Sequence, residues 1–426
     1  MRFRLPALSP VVLAAWLLGA CLAVSARAEQ DWPQFRGPDG QGHSDSVGLP
    51  LTWSETENVA WKTAIPGQGW SSPVILDDQI WMTTALDSGH SLHAVAVDRK
   101  TGAIVHDVEV FTVDEPPKIH ATNSYASPTP VVERGRVYVH FGTMGAACLD
   151  TATGSILWTN HDFTLDHEVG PGSSPTLYAD LLLFTCDGCD FRYVAALDKN
   201  SGKLAWKTPR SGVIDKPGMN KKAFATPLVI RAGGRDLAIM PGAEWVQAYD
   251  PLSGEEIWNV KYPGFSNVPR PVYGHGLVYV CTGFGVPEMW AIRPEGHGDI
   301  TASNVVWKAT KEMPAKPSPI LVGDEIYTVN DKGIATCLDA ATGAKRWIKR
   351  FGGSFSASPI FADGRIYFCS EDGKTLVLAP GRNFEQLAAN QLDGRFMASP
   401  AVSGKALFLR TDTHLYRIEK KEQVAN

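Results

Sequence analysis

A serine or threonine followed by proline returns along the whole chain, each time just before a short run of β-branched and aromatic residues. It stands at Ser72-Pro73, Ser127-Pro128, Ser174-Pro175, Thr226-Pro227, Ser318-Pro319, Ser358-Pro359 and Ser399-Pro400, with Arg270-Pro271 once in the same place. Eight occurrences, 40 to 55 residues apart, imply eight units of the length a four-stranded propeller blade requires. That repeat outweighs the expectation of two or three separate domains from a length of 426 residues.

Within each unit a Pro-led strand and a tight turn precede an apolar strand, such as VYV at 137–139, LLLF at 181–184, VYV at 278–280 and IYF at 366–368. Both faces of these strands are apolar, which suits sheets stacked face to face. The second half of the unit is more specific. AYDPLSGEEIW (248–258) and ALDKNSGKLAW (196–206) read A-x-D-x-x-S/T-G-x-x-x-W. CLDTATGSILW (148–158) and CLDAATGAKRW (337–347) differ at the first position, and AVDRKTGAIVH (96–106) ends in histidine. The aspartate can bond the amides of its own turn, the glycine supplies positive φ, and the tryptophan anchors the outer strand.

This combination resembles the tryptophan-docking motif of the PQQ-like (quinoprotein-type) β-propeller repeat family, and it spreads over essentially the whole chain after the leader. The resemblance implies an all-β, eight-bladed propeller over residues 58–420. The eighth unit stops after HLYRIEK (414–420), whereas NVAWKTAI (58–65) is an outer strand without a blade. The N-terminal strand is therefore expected to complete the last blade and remove its exposed edge. Residues 29–57 would form an extended lead-in across the surface, and 421–426 a tail.

The beginning of the chain reads as an export signal. Arg2 and Arg4 precede an apolar run from Val11 to Val24, and Ala26-Arg27-Ala28 offers small residues at a cleavage site. The run is too short to span a bilayer, so a periplasmic or secreted protein without a transmembrane segment is expected. Alternatively, Leu18-Gly19-Ala20-Cys21 resembles a lipobox, with Cys21 as a lipid-anchored N-terminus. Losing residues 1–28 removes three arginines and no acid, moving the net charge from −5 to −8. That balance argues against nucleic acid as a partner.

Six cysteines follow the leader. Cys148 and Cys337 fill the slot that Ala196 and Ala248 fill elsewhere, and Cys186, Cys281 and Cys369 end second strands. Equivalent slots in different blades lie far apart, so these read as buried core residues. Cys186-Asp187-Gly188-Cys189 is the exception, since C-x-x-C can close a local disulfide.

In such a blade the turn between second and third strands shares a face with the links between blades. Those links are long early in the chain, at 107–126, 159–173 and 207–225, so binding is expected over blades one to four. The links contribute Trp70, His120, Asn123, Tyr125, His161, His167, Lys221, Lys222, Phe224 and Arg395. The turns add His140, Asp187, Asp190, Arg192, Glu244, Trp245, Phe284, Asp331 and Glu371. The histidines show no His-x-His or His-x-x-x-His spacing, so no preformed metal site is expected; calcium through Asp187, Asp190 or Asp331 is a secondary option.

Three functions fit these features. The first is a non-catalytic scaffold or binding protein of the cell envelope, binding a protein or small ligand as a monomer and without a cofactor, similar to the outer-membrane assembly propeller lipoproteins. The second is a dehydrogenase using PQQ with calcium. The resemblance implies an adjacent Cys-Cys pair in those enzymes, and none occurs here, so no catalytic residue carries over. The third is a propeller that binds or processes a carbohydrate or envelope polymer, with Glu244 and Trp245 as the pair suited to it.

Overall fold

The computed structural model describes residues 31–215 and 218–421. The export signal, Cys21 and the last five residues lie outside them. Among the described residues no helix is long and apolar enough to cross a membrane.

Eight antiparallel sheets make up the fold, seven of them with four strands. Their innermost strands begin one residue after a proline, at Val74, Val131, Thr176, Leu228, Val272, Ile320, Ile360 and Ala401. Proline suits this position because an innermost strand leaves one edge unpaired and needs no N–H there. In the eighth sheet the outermost strand is Val59–Ala64, antiparallel to His414–Glu419.

Two details depart from the sequence reading. Blade two starts from Thr129-Pro130, not from Ser127-Pro128, since its strand is Val131–Glu133. Blade four has a fifth strand, because Gly298–Asp299 runs parallel to Glu256–Lys261. The extra strand comes from the segment that replaces the usual turn in blade five.

The motif turns form as their chemistry requires. Oδ1 of Asp150 accepts the N–H of Ala152 and Thr153 and the Thr153 hydroxyl, and Gly154 takes φ +73°. The tryptophan reaches the neighbouring blade: Trp158 donates to Lys199 O at 2.9 Å, and Trp206 to Pro251 O at 3.2 Å. Trp307, outside the four motif copies, does the same, donating to Ala340 O at 3.0 Å. Each indole lies over the glycine of that next turn, where a Cβ would collide with the ring.

The cysteine slots follow from volume. Cys148 and Cys337 face Tyr138 and Tyr327 on the second strand and Trp158 and Trp347 on the outer strand. A small residue between two large rings fills the layer without overpacking. All six cysteines are free, Cys186 and Cys189 included.

The lead-in is not confined to the surface. Trp32 pairs with Ile75 in blade one, and Pro33 O accepts from Val132 in blade two. Gly42 and Ser44 then bond Phe361 in blade seven. Between these anchors Arg36 is buried, donating to Pro319 O at 2.8 Å. Arg270 reaches it from blade five, donating to Phe35 O at 2.6 Å and Pro227 O at 2.8 Å. The lead-in thus joins blades one, two, five, six and seven.

Candidate functional site

A cavity of about 640 Å³ opens where the links converge. Every inter-blade link contributes to it, so it lies on the axis rather than over blades one to four alone. Phe35, contributed by the lead-in, also lines it.

A ring of hydrogen bonds joins lining residues of adjacent blades. The N–H of Ser72 donates to Thr129 Oγ1, Thr129 to Ser174, and Ser174 to Thr226, at 2.9 to 3.1 Å. On the other side Arg270 donates to Ser318, Ser318 to Ser358, Ser358 to Ser399 and Ser399 to Ser72, at 2.9 to 3.0 Å. The recurring hydroxyl is thus the tie between adjacent blades. Only the junction from Thr226 to Arg270 lacks such a bond, and there the Arg270 guanidinium grips Pro227 O instead.

The walls are largely apolar, with Trp70, Phe224, Phe265, Phe284, Val268 and Met397 facing inward. Trp70 is nearly buried and held by its indole N–H on Thr122 O at 3.2 Å. Asn123 donates to Val169 O and Pro171 O, while its carbonyl accepts the Ser127 hydroxyl at 2.6 Å. Ser127, expected to start a strand, serves this loop instead. His120 lies at the rim with Nδ1 2.9 Å from the Thr122 hydroxyl.

The charges on the wall are already matched. Lys222 pairs with Glu168. Lys316 lies 3.3 Å from Glu371 and 3.8 Å from Asp331, and Arg395 reaches the other Glu371 oxygen at 3.3 Å. Burial pushes the Glu371 carboxyl up, but the Ser356 hydroxyl and the two cations more than offset it and hold it below the usual range.

Of the residues singled out from the sequence, Trp70, His120, Asn123, Lys222, Phe224, Phe284 and Asp331 line the cavity. The others do different work. Tyr125 packs over Gly89 in the blade-one core. Asp187 is buried against Arg210 Nε at 2.8 Å, and Arg192 donates to Gly212 O. Asp190 ties its own turn, accepting from the N–H groups of Asp166 and Phe191. Glu244 accepts the Asp215 N–H and Trp245 donates to Val213 O, so this pair secures the 211–215 loop and leaves the cavity wall. Lys221 ends a short 3-10 turn, Gly218–Lys221, before the lining residue Lys222. His161 packs edge-on against Phe111. His140 is buried against Phe163 and Phe184, and burial, then its neighbour His167, depresses it to about 3. Burial likewise lowers His167 to about 4.

Sequence reasoning missed Phe35, Lys316, Met397 and the hydroxyl ring. The Ser/Thr-Pro repeat was itself the signal for the ring, since a side chain repeated at the start of every innermost strand must face its counterparts around the axis. Among the described residues no three His, Cys, Asp or Glu side chains gather as a metal would need.

A family profile described as "Outer membrane protein assembly factor BamB" matches residues 48–161, 143–229 and 297–383, well over half of the chain. The chain belongs to this family. Outer membrane protein assembly factor BamB of Bordetella pertussis is 24% identical over 278 residues, covering 61% of this chain and 63% of that protein. The dehydrogenase subunit of the quinone alcohol dehydrogenase of Gluconobacter oxydans is 25% identical over 292 residues, covering 63% of this chain and 34% of that protein. The chain thus spans less than two thirds of either relative. Among solved structures, BamB from Moraxella catarrhalis superposes with TM-score 0.60 at 13% identity, covering 86% of this chain and 99% of that one. The quinohemoprotein alcohol dehydrogenase ADHIIG from Pseudomonas putida gives 0.61 at 12% identity, covering 93% and 81%. These likenesses establish a shared fold.

Proposed function

We propose that this chain is an exported, non-catalytic binding propeller of the cell envelope that holds a small ligand in its axial funnel. The observation that carries this reading is the lining. An apolar pocket within the size range of small-molecule sites meets a few fixed polar groups, while the wall lysines are already bonded to carboxylates. A general base or a nucleophile needs a free, poised side chain, whereas a binding site needs shape and apolar area. Membership of a family described as an outer membrane assembly factor supports the envelope setting.

Relatives named quinone alcohol dehydrogenases raise a second reading, in which PQQ and calcium occupy the axis. The residues present do not fit that group. Asp331 and Glu371 share Lys316, and Glu168 holds Lys222, so among the described residues no carboxylates converge on a cation.

Native mass spectrometry of the protein purified from its own envelope, compared with the Trp70→Ala variant, tests the reading. A co-purifying small molecule that the variant loses is the expected result. Dye reduction by the intact protein after incubation with PQQ and calcium would overturn it.

A further inference from the structure

Six of the ring hydroxyls share a property that their role as blade ties does not explain. Ser72, Thr129, Ser174, Thr226, Ser318 and Ser399 each accept a backbone N–H from a neighbour. None of them donates to a protein acceptor among the described residues. Their residues are at least 95% buried, yet all of them border the cavity. An O–H that accepts through its oxygen is polarised toward donating, and six such donors in one ring form a crown for an acceptor-rich group.

The charge behind the crown has one sign. Three buried guanidiniums are anchored beside it: Arg270 on the carbonyl after Thr226, Arg36 on the carbonyl after Ser318, and Arg410 on the carbonyl and hydroxyl of Ser71, next to Ser72. None of the three forms an ion pair among the described residues. The nearby carboxylate, Asp39, is bonded to the Gln41 N–H and to His43. Burial lowers all three arginines, to about 9, about 10 and about 9 for Arg36, Arg270 and Arg410. Elsewhere on the wall the charges cancel, with Lys222 against Glu168 and Lys316 with Arg395 against Asp331 and Glu371. The wall is therefore neutral and apolar where the paired charges lie and donor-rich and positive at the ring of hydroxyls.

We propose that the ring of hydroxyls in the funnel is an oxyanion site that takes the carboxylate of a small molecule whose apolar body rests on Trp70, Phe224, Phe265, Phe284 and Met397. This rests on the funnel being the binding site. The carboxylate would accept from the crown while offsetting part of the buried positive charge, whereas a neutral amide supplies only the first gain and a cation neither.

Isothermal titration of the full chain with 2-naphthoate, 2-naphthamide and 2-naphthylmethylammonium tests the inference, since the three share an apolar body. The naphthoate should bind about 10- to 100-fold more tightly than the amide, as expected for charge-assisted hydrogen bonds, and the ammonium more weakly than either. Ser174→Ala with Ser399→Ala, which removes two of the six crown hydroxyls, should bring the ratio of carboxylate to amide toward one, whereas Trp70→Ala should weaken both. Equal binding of carboxylate and amide by the unchanged protein overturns the oxyanion site and leaves the funnel standing as an apolar pocket. Failure of all three to bind overturns the funnel reading as well. The comparison on unchanged protein needs no variant to fold.

Discussion

The indole N–H of Trp61 donates to Arg99 O at 3.1 Å, and Gly102 lies beneath the ring. The first described strand is thereby fastened to the turn of blade one as well as to the last strand. Trp61→Ala should cost about 3 kcal/mol through lost area and the cavity left behind. Trp61→Phe, which removes chiefly the hydrogen bond, should cost about 1 kcal/mol. Urea unfolding midpoints of the two variants check the order.

Gly40 has φ +69°, and a Cβ there would fall 2.4 Å from Arg270 Nη1. Because that guanidinium is fixed on four acceptors, it has nowhere to move. Gly40→Ala should destabilise by about 1–3 kcal/mol, visible as a lower melting temperature. Gly135→Ala, where a Cβ meets nothing but φ is +81°, separates backbone strain from collision.

Asp187 and Arg210 form a buried pair, and Arg210 also donates to Met240 O and to Gln247 Oε1. Burial pushes the Asp187 carboxyl up, and the guanidinium opposes it. Arg210→Met removes the buried partner of that carboxylate, leaving only the weaker Coulombic help of Arg192, and should cost about 3–5 kcal/mol. Adding Asp187→Asn should recover part of the loss, a non-additivity that a double-mutant cycle measures.

His140 and His167 are held neutral, at about 3 and about 4 against an ordinary 6.5. An unfolded chain binds those protons more readily, so the stability these residues contribute is present above pH 6.5. It falls as the pH drops from 6.5 toward 4. His167→Gln should flatten the slope in that window, as read from melting temperatures at stepped pH. A slope identical to that of the unchanged protein counts against the assignment.

The blades were legible because their signals are local: a proline before each innermost strand, and an aspartate, glycine and tryptophan at fixed offsets. Blade two was misplaced by two residues for the same reason, since Ser127-Pro128-Thr129-Pro130 offers the dipeptide twice. The choice falls to Thr129 because its hydroxyl meets the Ser72 N–H across the blade junction. The funnel was half legible. Trp70, His120 and Asn123 reach it, but Glu244 and Trp245 turn to a neighbouring loop, a preference that depends on the path of residues 211–215. Phe35 could not be read at all, because its place is set by Arg270, far along the chain.

The pairing of Val59–Ala64 with His414–Glu419 also governs how the molecule comes into being. A chain delivered N-terminus first must carry an orphan ribbon until its last hairpin arrives, so ring assembly waits on the slowest contact in the fold. Until that moment an adhesive edge is open to other chains. The architecture thus ties the yield of native protein to whatever shelters that ribbon during delivery.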